Sequence, residues 1–216
     1  MNQLPGQARF LVVLDVDSTL INQEVIEVLA EFAGKAEEVA AVTERTMAGE
    51  LDFAGSLRAR VRTLTGLPES VIQQALGKLT FTQGAHELVN WIHSKGGRVG
   101  AVSGGFVQLV EPLAKQIHLD FFRANQLQII DGLLTGDVVE PIIDKPAKAT
   151  AMIEWARVLG LSQDKCIAIG DGANDLDMLK AAGLGIGFNA KPRVRAAADL
   201  LIGSGNLAEV INLIGF

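Results

Sequence analysis

Short apolar runs recur along this chain, and the segments between them follow a different period. Phe10–Leu14, Arg98–Val102, Cys166–Ile169, Leu184–Phe188 and Leu200–Ile202 are brief, β-prone and bounded by polar residues or glycine, which predicts buried strands. Between them, Ala85, Leu88, Val89 and Ile92 fall on one helical stripe, and Phe106, Leu109, Val110 and Leu113 on another. Strands alternating with amphipathic helices predict an α/β fold: a doubly wound, mostly parallel sheet with helices on both faces. Right-handed crossovers then bring the strand C-termini to one edge, where ligands collect at the topological switch point.

Two stretches break the rhythm. After the first run, roughly sixty residues carry no strand signal. Val25, Val28, Leu29 and Phe32 form a helical stripe that Gly34 would end, and further helical segments run through Arg62 and from Pro68 to Lys78. This predicts a helical cap over residues 19–81, inserted into a core made of residues 1–18 and 82–216 and well placed to act as a lid. The second break, Leu127–Thr135, has two β-like runs around Asp131-Gly132, a small β-hairpin.

Composition narrows the picture. Hydrophobic residues make up 49% of the 216, but aromatics only 5%, with no tyrosine, so Leu, Val, Ile and Ala must build the core. The formal charge of -6 speaks against a nucleic-acid or acidic-membrane partner, which requires a basic face. The single cysteine, Cys166, excludes an internal disulfide and reads as a small buried hydrophobe. No run approaches the ~18 apolar residues of a membrane span, and the N-terminus lacks a secretory pattern. A cytoplasmic protein, monomer or homodimer, is expected.

The chemistry lies at the ends of the strands. The first run ends in Asp15-Val16-Asp17-Ser18-Thr19, and the Cys166 run ends in Gly170-Asp171-Gly172-Ala173-Asn174-Asp175. Carboxylates after buried strands have no packing role. In an extended chain Asp15 and Asp17 point the same way, and like charges that close call for a cation between them. Mg²⁺ suits them, since it takes oxygen ligands and uses few carboxylates. Asp171 can complete the site, Asp175 can support it from behind, and Asn174 can cap the following helix. A third tip, Val102-Ser103-Gly104-Gly105, offers a hydroxyl and backbone N–H groups at an expected helix N-terminus, a setting for phosphate. Lys148 supplies a candidate cation, with Lys145 as its rival. His86, His93 and His118 fall in helix-like segments and read as structural or surface residues.

Taken in order, DVDSTL, SGG, a downstream lysine and GDGAND resemble the haloacid dehalogenase superfamily of phosphohydrolases. Within it, Asn22-Gln23-Glu24, Met47-Ala48-Gly49, Ser56 to Val61, the DGLLTGDV hairpin and Phe188 to Pro192 resemble members acting on O-phospho-L-serine. The resemblance implies Asp15 as nucleophile, forming an aspartyl-phosphate, and Asp17 as acid toward the leaving oxygen, then base toward water. It implies Mg²⁺ held by Asp15, the backbone carbonyl of Asp17, and Asp171, with Asp175 in support. Ser103, Gly104 and Lys148 would bind the phosphoryl oxygens and Asn174 would orient the site. Glu24 would meet the substrate ammonium and Arg60 its carboxylate, with Arg58 and Arg62 as rivals for that place. The chain departs from the pattern at Val16, where phenylalanine is frequent, and at Ala149, where a glycine often follows the lysine. It starts almost directly on the catalytic strand, so feedback through an N-terminal regulatory domain is not expected.

The expected function is hydrolysis of a small phosphorylated amino acid, O-phospho-L-serine, to serine and phosphate, the last step of serine biosynthesis. One alternative keeps the chemistry and changes the ester or the acceptor, as in a phosphotransferase or a phosphatase of phosphohomoserine. Another is a signalling module phosphorylated on aspartate without turnover. Asp17 discriminates, being redundant in a switch and required for protonating a leaving group.

Overall fold

In the computed structural model, residues 8–48 and 50–214 are described; Gly49 of the Met47-Ala48-Gly49 segment lies outside them. The sheet forms from β1 (Leu11–Leu14), β2 (Arg98–Phe106), β3 (Phe121–Ile130), β4 (Leu133–Val139), β5 (Cys166–Gly170), β6 (Leu184–Phe188) and β7 (Leu200–Ile202). Its order is β4-β3-β2-β1-β5-β6-β7. All neighbours pair in parallel except β3 and β4, the hairpin at one edge.

The sequence explains why β1 sits in the middle. All four of its residues are buried, because both faces of the sheet are covered. Val12 and Leu14 join one core with Leu88, Ile92 and Leu109. Leu11 and Val13 join another with Met152, Trp155 and Met178. A run without polar alternation suits an interior strand covered on both faces.

The helices that build these layers are α1 (Val25–Phe32), α2 (Ala36–Met47), α3 (Phe53–Arg62), α4 (Ser70–Leu76), α5 (Ala85–Ser94), α6 (Val107–Ile117), α7 (Lys145–Val158) and α8 (Leu176–Ala181). Gly34 takes a φ of +66°, the left-handed conformation that ends α1. Between β1 and β2 the chain leaves and rejoins the sheet layer through an antiparallel bridge, Ile21 to Phe81. The first four helices are also tied to the hairpin: Gly66 N–H donates to the Leu134 carbonyl at 2.8 Å, and Leu134 N–H to the Leu67 carbonyl at 2.8 Å. The hairpin therefore props the helical layer from the side.

The topology also sets the site. After β1 the chain moves toward β2, whereas after β5 it moves toward β6, so the connections from two neighbouring strands diverge and open a crevice between their tips. The register pairs Leu14 with Ile169. Asp15 and Asp171 thus emerge side by side from strands far apart in sequence.

One expectation is corrected. Ser103, Gly104 and Gly105 do not lie at a helix N-terminus, because β2 continues to Phe106 and α6 begins only at Val107. The pairing with β3 shifts register between Val102 and Phe106. Ser103 Oγ accepts the Gly105 N–H at 2.7 Å, and Asn125 Nδ2 donates to the Gly104 carbonyl at 2.8 Å. These side chains satisfy a bulged strand end, so the backbone has no need to turn into helix early.

Candidate active site

Asp15 is the first residue past β1, and its own N–H donates to the Ile169 carbonyl of β5 at 2.9 Å. Its Oδ1 accepts from Val16 N–H at 2.7 Å and lies 2.6 Å from Lys148 Nζ. Immediately beyond, the chain turns tightly through Val16–Leu20, with Ser18 at a φ of +56°. The turn interrupts the extended run between Asp15 and Asp17, yet both line the same cavity. Asp17 takes the Ser103 hydroxyl on Oδ2 and the Val25 N–H on Oδ1, both at 2.7 Å. Its side chain stands beside the acidic cluster and is not one of its members.

That cluster consists of Asp15, Asp171 and Asp175, all buried, each offering an oxygen within 4.8 Å of the others. Asp175 is held from three directions. Its Oδ2 accepts the N–H groups of Asp171 and Gly172 at 3.1 and 3.0 Å, and its Oδ1 accepts from Lys148 Nζ at 2.7 Å. Capping of the turn after β5 thus falls to Asp175, not to Asn174 as expected. The Asp175 carboxylate closes the ring back to Asp171, whereas Asn174 Oδ1 is buried with no hydrogen-bond partner among the described residues.

Charge explains the titration of the group. Burial raises the Asp15 carboxyl well above its ordinary range, and the neighbouring Asp175 adds to the effect against the pull of Lys148. Asp171 is pushed up to about 6, first by burial and then by Asp175. Burial works against the Lys148 ammonium too, but Asp15 and Asp175 more than offset it and hold this lysine above the usual range. Three carboxylates around one ammonium carry surplus negative charge in a dry site. The donor set is all oxygen, with an unsatisfied Asn174 amide oxygen alongside, so a hard divalent cation fits it.

Lys148 is entirely buried in the first turn of α7, where Asp144 caps the helix by accepting the Ala147 N–H at 3.0 Å. Its rival Lys145 points outward and pairs with Asp177 at 2.8 Å, both groups more than a third exposed. Glycine makes room for the arrangement: a Cβ on Gly170 would lie 2.5 Å from Asp175 Cγ. Since Asp175 cannot retreat without losing its three contacts, Gly170→Ala should weaken divalent-cation affinity more than tenfold and cost about 1–3 kcal/mol of stability. Gly203→Ala, where a Cβ meets nothing within 4 Å, should change neither. Calorimetric Mg²⁺ titration and thermal unfolding of both variants check this.

Opposite the cluster, α1 and α3 contribute to a small, partly open cavity. Glu24 and Arg60 line it together with Asp15, Asp17, Gly104 and Asn174. Ser18 Oγ donates to Glu24 Oε1 at 2.7 Å. Burial, followed by the charges of Asp17 and Asp171, raises Glu24 to about 8. Arg60 is buried and shifted down by burial, with Glu24 opposing. Its rival Arg58 instead pairs with Glu140 on the surface.

Several residues of the cavity went unread in the sequence. Phe53, Leu57 and Ile26 form its apolar wall, and Phe53 presses on Gly104, where a Cβ would meet its ring at 2.6 Å. Apolar residues on a cap helix look the same whether they face a core or a substrate. Lys191 Nζ stands 3.5 Å from Asp171; its place in the FNAKP segment was the available signal. The histidines stay away from the cavity lining, His93 pairing with Asp120 at 2.9 Å and His86 against the Phe81 ring.

A parallel sheet delivering an aspartate nucleophile candidate, a buried lysine and an acidic cluster to one crevice defines a class of phosphoryl-transfer hydrolases. The haloacid dehalogenase-like hydrolase pattern matches residues 12–180, and the chain belongs to that family. Its relatives are more particular. The phosphoserine phosphatase of Streptococcus thermophilus is 48% identical over 97% of both chains. Phosphoserine phosphatase SerB2 of Mycobacterium tuberculosis is 50% identical over 98% of this chain, which spans only 52% of that relative's length. Among solved structures, a substrate-bound phosphoserine phosphatase complex superposes with a TM-score of 0.94 at 38% identity, covering 97% of this chain and 100% of the other. A phospho-aspartyl intermediate analogue of phosphoserine phosphatase does so with 0.94 at 39%, covering 96% and 100%.

Proposed function

We propose that this chain hydrolyses O-phospho-L-serine to serine and phosphate through an aspartyl-phosphate, closing serine biosynthesis as a cytoplasmic enzyme. The observation that supports this reading is one cavity lined by Asp15, which Lys148 backs from the interior, and by Glu24 and Arg60. One end suits a phosphoryl group and the other a zwitterion.

In the first half-reaction an Asp15 oxygen attacks phosphorus while the bond from phosphorus to the serine oxygen breaks. Asp17, steadied by Ser103 and Val25, gives its proton to that leaving oxygen. In the second half Asp17 takes a proton from water, the water oxygen attacks phosphorus, and the Asp15 carboxylate leaves. Lys148 and the Ser103–Gly104 segment hold the phosphoryl oxygens, with Asn174 orienting them. Asp15, the Asp17 carbonyl and Asp171, with Asp175 behind, would hold Mg²⁺, which would neutralise charge at those oxygens. Arg60 grips the substrate carboxylate and Glu24 its ammonium. Helices over residues 19–81 exclude water and open for exchange.

The test is phosphate release from phosphoserine, phosphothreonine, phosphohomoserine, sugar phosphates and p-nitrophenyl phosphate. Phosphoserine should lead by about two orders of magnitude in kcat/KM, since losing either charged contact leaves a buried partner unpaired. EDTA should abolish release and Mg²⁺ restore it. A flat panel would leave the phosphatase chemistry but remove this substrate.

A further inference from the structure

The helices above the site contain a buried polar group that their packing does not require. Thr43 and Thr46 of α2 and Ser56 and Arg60 of α3 are each less than a tenth exposed. In a small amphipathic layer, polar residues at inward positions weaken packing unless they serve the site. The Arg60 guanidinium donates from Nη1 to Thr43 Oγ1 at 3.0 Å and from Nε to the Ser56 carbonyl at 3.2 Å. Thr43 in turn donates to the Val39 carbonyl of its own helix at 2.9 Å. Its hydroxyl also meets the carboxylate of Glu27, which lies one turn beyond Glu24 on α1 and is half-buried. Among the described residues no carboxylate lies at ion-pair distance from Arg60, although the charges of Glu24, Asp17 and Glu27 reach it; both of its hydrogen bonds go to neutral oxygens of α2 and α3.

This matters because an arginine side chain is long and rotatable. Two contacts, at Nε and Nη1, restrict rotation of the guanidinium, and Nη2 makes no hydrogen bond among the described residues. A carboxylate partner within reach would occupy the fork meant for a ligand, whereas a hydroxyl orients it without neutralising it. We propose that Thr43 is the positioning residue for Arg60, and that through it α2 sets the preference for phosphate esters that carry a carboxylate. This rests on the reading of Arg60 above. Thr43 touches neither phosphate nor the reacting atoms, so its influence is confined to one end of the ligand.

The experiment compares phosphoserine with O-phosphoethanolamine, which keeps the phosphate and ammonium but lacks the carboxylate. Wild-type discrimination between the two reports on Arg60, and its loss in Thr43→Val reports on Thr43. The Val variant preserves shape and removes the hydroxyl. It should raise KM for phosphoserine about tenfold, the scale of one hydrogen bond to a charged group, with kcat within about twofold. The values for phosphoethanolamine should not move, and Thr43→Ser should restore the wild-type ratio. Thr43→Ala gives the same comparison if the Val variant does not fold. Equal losses on both substrates, or no change on phosphoserine, would overturn the proposal. A wild type that treats the two esters alike would remove its premise instead.

Discussion

Asp15→Asn is expected to lower turnover of phosphoserine by at least about 10⁴-fold while the protein stays folded, because the amide cannot form the acyl phosphate. The substitution preserves shape, so the Val16 N–H and Lys148 Nζ, at 2.7 and 2.6 Å from Oδ1, keep an oxygen acceptor. Removing one carboxylate also relieves a site in which burial and Asp175 already raise Asp15. Metal-free stability should therefore hold or improve, even as catalysis is lost. Phosphate release, thermal unfolding and intact-protein mass after mixing with substrate give the three readouts. A variant with turnover within tenfold of wild type, or one that still gains phosphate mass, would move the nucleophile elsewhere.

Lys148→Met should have the largest effect on stability. The side chain is fully buried between Asp15 and Asp175, and methionine fills similar space without charge. The change strands carboxylates away from water, which typically costs about 3–5 kcal/mol when one partner of a buried pair is removed. For a chain of this size that is a fall in Tm of roughly 10 °C. Turnover should also drop by about 10³-fold, since the cation proposed to hold the phosphoryl oxygens is lost. Lys145→Met provides the contrast, because its ion pair with Asp177 is partly solvated and should matter by less than about 0.5 kcal/mol. Adding Asp175→Asn to Lys148→Met should recover part of the stability. If the two lysine variants unfold together, the buried pair does not carry the weight assigned to it here.

These expectations differ in how far the chain alone supports them. Asp15 and Asp171 were legible because both follow apolar runs that only a central strand accommodates, and acids there have no packing use. The choice between Lys148 and Lys145 was not legible. Both lie in the first turn of α7, and only the approach of the β1 and β5 tips makes one of them a buried counter-ion. The bulge at Ser103–Gly105 was also hidden, since Ser-Gly-Gly suits a turn as well as a strand end. Asn125, distant in sequence, decides the matter by satisfying the Gly104 carbonyl. Thr43 carried a faint signal, a polar residue on a helix whose inward positions should be apolar. Its meaning appears only when Arg60 of the next helix arrives at 3.0 Å.

The periods of the apolar runs, the glycines that end helices and the acids at strand ends are local properties, dictated by backbone geometry and burial. By itself, then, the sequence determined the α/β class, the helical stretch after the first strand and the residue types at the catalytic edge. The tertiary structure decided which charges meet, which lysine loses its water, which oxygen of Asp175 caps the β5 turn and which hydroxyl holds Arg60. Those are pairwise matters between residues far apart in sequence. Electrostatics and hydrogen bonding act over a few ångströms of space, and no spacing along the chain encodes that distance.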